Sequence, residues 1–75
     1  MARIETTYAV SRIRERVSDL AEDYAVLRGA DDDASGRCRL AITAEVSGLC
    51  FGLGLLTGED ADSLYERIWI ERAAA

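Results

Sequence analysis

Lysine, histidine, asparagine, glutamine and proline are absent from this 75-residue chain, so its nine basic side chains are all arginine. Each absence excludes chemistry. Without imidazole there is no side chain poised to exchange a proton near neutrality, and the commonest metal ligand is missing. Without lysine there is no Schiff-base nucleophile and no lysine to hold a nucleotide phosphate. What remains is dominated by Ala, Leu, Arg, Glu and Asp, the residues of helices. The composition points to a small helical binding protein and away from an enzyme.

A chain of 75 residues suffices for one domain, 1–75. A domain of this size buries only about 60–65% of the surface its unfolded chain exposes, so regular packing or a partner must support it. With 49% hydrophobic and 31% charged residues the composition is globular rather than disordered. The net charge of −5 disfavours direct binding to nucleic acid or to an anionic membrane, and favours a protein partner with a basic surface. Met1 to Glu5 reads directly into charged sequence without a signal-peptide pattern, and no apolar run approaches the roughly 20 residues of a spanning helix. The expectation is a cytoplasmic protein in a bacterial host. Arginine to the exclusion of lysine, with abundant alanine, suggests a GC-rich bacterium or its phage.

Cys38 and Cys50 are the two cysteines. On one helix they would lie about 18 Å apart, too far for a disulfide. Without histidine a zinc site would need carboxylates, so both are read as buried free thiols.

Val10, Ile13, Val17, Leu20, Tyr24 and Leu27 recur at intervals of three and four, which predicts a helix over about 6–28. Thr6 or Thr7 would cap it, and Gly29 would end it in the left-handed conformation. Residues 30–36, with Asp31, Asp32, Asp33 and Gly36, read as a loop. The segment from Arg37 admits two readings. As strands, Cys38, Leu40, Ile42, Ala44 and Val46 alternate with more polar neighbours and turn at Ser47-Gly48 into a second strand, giving an α+β helix–hairpin–helix fold. As a helix over about 37–53, Cys38, Ile42, Val46, Leu49, Leu53 and Leu56 form a stripe. Ala44, Gly48 and Gly52 then form a small-residue stripe for close approach of another helix.

The residues from Gly54 to Asp60 favour the helical reading. Gly54 suits the residue after a helix, Thr57 suits an N-cap with Asp60 three residues on, and Leu55 and Leu56 would plug the space between helices. The third helix then covers about 58–72, with Ala61, Leu64, Tyr65 and Ile68 on its core face. The fold class expected is an all-α, up-down-up bundle of three helices. Charge supports that topology. Parallel first and third helices would set Arg12, Arg14 and Arg16 beside an acidic start, and Arg67 and Arg72 beside Asp19, Glu22 and Asp23. Arg37 and Arg39 would lie near Asp23.

No catalytic residue, cofactor site or metal site is assigned. Glu59 and Asp62 form a carboxylate pair that nothing distinguishes from an acidic helix start. The aspartate run lacks the alternating oxygens and distal glutamate of a calcium loop. Arg12, Arg14 and Arg16 are the only candidates for phosphate contact. The expected partner-binding residues are Asp31, Asp32, Asp33, Glu59, Asp60, Asp62, Trp69 and Ile70. Trp69 and Ile70 fall off the core stripe of a regular helix and would form an exposed edge, for a partner or a homodimer. Tyr8 and Val26 are similarly displaced on the first helix.

These residues carry two resemblances. Gly54-Leu55-Leu56-Thr57-Gly58-Glu59-Asp60, with Leu64, Arg67 and Ile68 after it, resembles the helical-hairpin turn of SHOCT-type bacterial domains, with Asp60 for the second acid and Ala61 for the usual aromatic. That resemblance implies an oligomerisation or interaction module. In size, acidity, lack of catalytic residues and helical pattern the chain also resembles anti-CRISPR proteins of phages and mobile elements. This implies an inhibitor that binds a Cas subunit and blocks DNA recognition or cleavage. The alternatives are a helical interaction module or a small DNA-binding regulator using Arg12, Arg14 and Arg16.

Overall fold

A computed structural model of the chain describes residues 2–70, with side chains from residue 6 onward. Helix α1 spans Ala2–Leu27, α2 spans Asp33–Thr57 and α3 spans Ala61–Tyr65, continuing into a π-helical turn at Glu66–Ile70. Of the described residues 88% are helical and none is in a strand, so the all-α bundle holds and the hairpin alternative falls.

The α1 backbone is already helical at Ala2, which places Thr6 and Thr7 inside the helix rather than at its cap. Its stripe meets the core as expected: Val17 and Leu20 are buried, and Val10, Ile13 and Tyr24 pack against them. Gly29, with φ 87°, ends the helix in the left-handed conformation.

The loop expected over 30–36 is shorter, because the aspartates start α2 rather than delay it. The Asp32 carboxylate accepts the Ser35 amide at 2.9 Å and the Ser35 hydroxyl at 2.7 Å. Asp33 occupies the first turn, where the macrodipole favours an acid. At its other end α2 runs one turn past Gly54. Gly58, with φ 81°, donates its amide to Gly54 O at 2.8 Å and closes the helix. The glycine at 54 serves a different need. A Cβ there would lie 2.7 Å from the Glu59 carbonyl oxygen, so its absence lets the turn fold tightly onto the helix.

Asp60, rather than Thr57, caps α3, its carboxylate accepting the Ser63 amide at 3.0 Å. The third helix is thus shorter and less regular than the expected 58–72, and residues 71 and 72 lie outside the described residues. Arg16 bridges α1 to Glu45 of α2, and Arg39 of α2 reaches the C-terminal carbonyls of α1, which makes these helices antiparallel. From Gly58 the chain folds back along them until Trp69 meets Tyr24 of α1. The result is a rod of 47 × 19 × 19 Å. Its core is Val17, Leu20, Val46, Cys50, Leu53, Leu64 and Trp69.

Candidate functional site

The expected edge at Trp69 and Ile70 is divided by the π turn. A π turn rotates less per residue than an α turn, so Trp69 comes round to the side of the core that holds Leu64 and is 4% exposed, while Ile70 is 49% exposed. The Trp69 ring meets Tyr24 edge to face, with centroids 5.4 Å apart at 80°. Trp69 is thus a core anchor rather than a binding-edge residue. A regular helix past Tyr65 would turn Trp69 outward, and the π turn at Glu66–Ile70 reverses that.

The acidic candidates are not brought together. Asp31, Asp32 and Asp33 lie at the start of α2, whereas Glu59, Asp60 and Asp62 lie beyond its end. A helix of this length separates them by about 37 Å. Asp32 and Asp60 are committed as caps. Hydrogen bonds from the Ser35 hydroxyl and amide hold the Asp32 carboxyl below its ordinary value. Glu59 accepts Arg67 at 3.0 Å. Asp31, Asp33 and Asp62 remain on the exposed surface.

The arginines also pair otherwise than expected. Arg12 bonds Glu15 within α1 at 2.9 Å. The Arg16 guanidinium grips both Glu45 oxygens, at 2.7 and 3.1 Å, which holds the Glu45 carboxyl below its ordinary value. Arg39 donates to Leu27 O at 2.7 Å and Ala30 O at 2.8 Å, neutralising the negative end of α1. Arg67 pairs within its own arm rather than with α1, and Arg72 lies outside the described residues. These charges serve the fold, which leaves a poor phosphate-binding cluster around Arg12 and Arg16.

The cysteines divide as well. Cys50 is buried, and burial pushes its thiol up. Cys38 is exposed, contrary to expectation. Tyr65 is raised by its own burial and then by Cys50 and Tyr24 nearby. Among the described residues no group of three Cys, Asp or Glu side chains is placed to hold a metal ion.

The feature that stands out is the outer face of α2. Its inner face, with Val46, Cys50 and Leu53, is consumed by the core. On the opposite side Arg37, Ala41, Ala44, Gly48, Gly52 and Leu55 succeed one another at intervals of three and four, flanked by Leu40 and Phe51. Leu40, Phe51 and Leu55 are 73%, 61% and 74% exposed. Leu56 is also exposed, so the pair Leu55-Leu56 does not plug an inter-helix gap. Among the described residues the Ala44–Gly48–Gly52 stripe receives no helix, for a Cβ at Gly48 or Gly52 would meet nothing within 4 Å. Between Leu40 and Thr57 the only charged residue is Glu45, and Arg16 holds it.

By length and composition α2 is able to cross a membrane, although no uninterrupted apolar run marks it in the sequence. Only 22% of its most apolar window is buried, so it is not simply the central helix of a core. Its neighbour α1 presents exposed Arg14, Glu15, Asp19, Glu22 and Asp23, which hydrocarbon would not accept. No family model, curated protein or solved structure matches the chain, so the face must be interpreted from its own chemistry.

Proposed function

We propose that the protein is a non-enzymatic binding module that works through the outer face of α2. The observation that carries this reading is the exposure of Leu40, Phe51 and Leu55 along one side of a helix whose other side packs into the core. Contiguous apolar surface on a small charged domain is the signature of a covered face. Exposed aromatic and aliphatic side chains flanking small residues supply both anchors and room for a partner. The SHOCT-type resemblance of residues 54–60 implies the same class of role. A photoreactive benzophenone side chain at position 51 tests it in cells. Efficient adducts to a defined protein from position 51, and none from position 22 on the outer side of α1, are the expected result. Equal or absent capture at both positions overturns it.

A second reading gives that binding a target: an inhibitor of a Cas complex acting in the bacterial cytoplasm against a basic DNA-binding surface. It draws support from the net charge of −5 and from exposed Asp31, Asp33 and Asp62 at the two ends of α2. The protein would compete with DNA phosphate for the partner, without itself binding nucleic acid. DNA affinity of a purified Cas effector, measured with and without saturating protein, decides it. Competition that weakens with salt and with Asp31→Asn/Asp33→Asn supports the inhibitor, and unchanged DNA affinity refutes it.

A further inference from the structure

We propose that the outer face of α2 pairs with the same face of a second copy, antiparallel, about a two-fold axis at Gly48. This deepens the binding-module reading and rests on it. The register is set by the order of residues on the face. With the axis at Gly48, Gly48 meets its own counterpart, Ala44 meets Gly52 and Ala41 meets Leu55. Each exposed leucine at 55 thus lies over an alanine, and the centre is lined only by Gly and Ala, with open space where a partner backbone would enter. Small residues at the crossing permit the close helix approach that brings the large side chains on either side into contact. A one-face interface of this kind is self-complementary, as a two-fold dimer requires.

Charge agrees with the antiparallel choice. Arg37, at the start of the strip, comes level with residue 59 of the other copy at both ends of the dimer, beside the exposed Asp62 and the Glu59 that Arg67 already holds. Parallel pairing would instead set Arg37 beside Arg37 and stack the acidic turns on one another. The strip from Arg37 to Leu55 is about 27 Å long and about 10 Å wide. Two such strips with interleaved side chains bury on the order of 1,000 Å², near the lower bound for a specific interface. The dimer should therefore dissociate on dilution. A lipid surface fits less well, because a net charge of −5 opposes anionic bilayers and Gly48 and Gly52 leave the centre of the strip without side chains to insert.

Sedimentation equilibrium of the full chain across the micromolar range tests self-pairing. A concentration-dependent monomer–dimer equilibrium is expected, with Leu55→Glu raising the dissociation constant at least tenfold while its circular dichroism is unchanged. Cysteine oxidation tests the register. Cys38 of the two copies would lie about 30 Å apart in the antiparallel dimer, so the native chain should not cross-link. Gly48→Cys in a Cys38→Ser background should cross-link at the axis. A monomer at every concentration, or a dimer joined through Cys38, overturns the proposal, as does a monomer that floats with neutral phosphatidylcholine vesicles. The position-51 cross-linker separates the two levels. Capture of a different protein by a monomeric chain ends the dimer and keeps the binding module, whereas no capture and no dimer end both.

Discussion

Alanine in place of Gly54 and in place of Gly52 should move stability in opposite directions, although the two glycines are two residues apart on one helix. At Gly52 a Cβ meets nothing within 4 Å. Alanine there loses no contact and reduces the freedom of the unfolded chain, a gain of about 0.5–1 kcal/mol. At Gly54 the same Cβ would lie 2.7 Å from the Glu59 carbonyl oxygen and 3.6 Å from the Ala61 amide nitrogen. The obstacle is backbone, in a turn fixed by Gly58 at one end and the Asp60 cap at the other. Relief requires a shift of ~0.7 Å to reach an ordinary carbon–oxygen contact. Overpacking of this kind costs about 1–3 kcal/mol, and more when no side chain is free to yield. Offset by the helix preference of alanine, Gly54→Ala should lose about 1–2 kcal/mol. The two variants then differ by about 2–3 kcal/mol, or roughly 10–20 °C in melting temperature for a domain this small. Thermal melts by far-UV circular dichroism, in a Leu55→Glu background to remove self-association, measure the gap. A Gly54→Ala variant as stable as Gly52→Ala would refute the tight α2–α3 turn.

The core and its titrating groups give three further outcomes. Trp69→Ala should cost about 3–5 kcal/mol and disorder the third arm, because Trp69 ties it to Tyr24; a loss under about 1 kcal/mol by denaturant melts would place the ring outside the core. An Ellman-type thiol reagent should modify Cys38 rapidly in the native protein and Cys50 only on unfolding, so equal native rates would contradict the burial of Cys50. Stability should be flat between about pH 5 and pH 8. The depressed Asp32 and Glu45 carboxyls contribute stability above their unfolded values that is lost as pH falls through the folded ones. The raised Cys50 and Tyr65 groups contribute stability that is lost as pH rises past about 8.5 and then about 10. Melts of Asp32→Ala/Glu45→Ala with an undiminished acid slope would remove those carboxyls as the cause.

The legible parts of the fold were those that rest on regular period and common stop signals. The stripe from Val10 to Tyr24 and the left-handed Gly29 are where the sequence placed them. Bundle topology came from helix order, but not from the charge pairs that had suggested it. Arg16 found Glu45 across the hairpin, and Arg39 found backbone carbonyls instead of Asp23. Side-chain partners of flexible arginines depend on distances that a sequence does not contain. Asp32 was hidden by its neighbours, for in a run of three aspartates only the backbone decides which one caps. Trp69 was misplaced because a single π turn changes which residues share a face.

The candidate site was half visible. The spacing of Ala44, Gly48 and Gly52 marks a small-residue stripe for close approach of another helix, without saying which helix. The stripe and the Cys50–Leu53 side cannot both face one short third arm. The structure gives the core the bulky side and leaves the small residues outward, with Leu40, Phe51 and Leu55 around them. Two apolar faces on α2 are the reason its sequence also fits a pair of buried strands. A helix that is hydrophobic nearly all round requires a covering on both sides.

Phe51 is the only phenylalanine, so fluorophenylalanine labelling yields one fluorine resonance, at the flank of the candidate face. Its solvent-isotope shift reports directly whether that face is wet or covered. In dilute protein the shift should be that of an exposed ring, and it should collapse toward the buried value as the face is occupied, by a second copy at higher concentration or by the captured partner. A ring already buried in the dilute monomer, or one that stays wet when dimer or partner complex is saturated, would contradict the account.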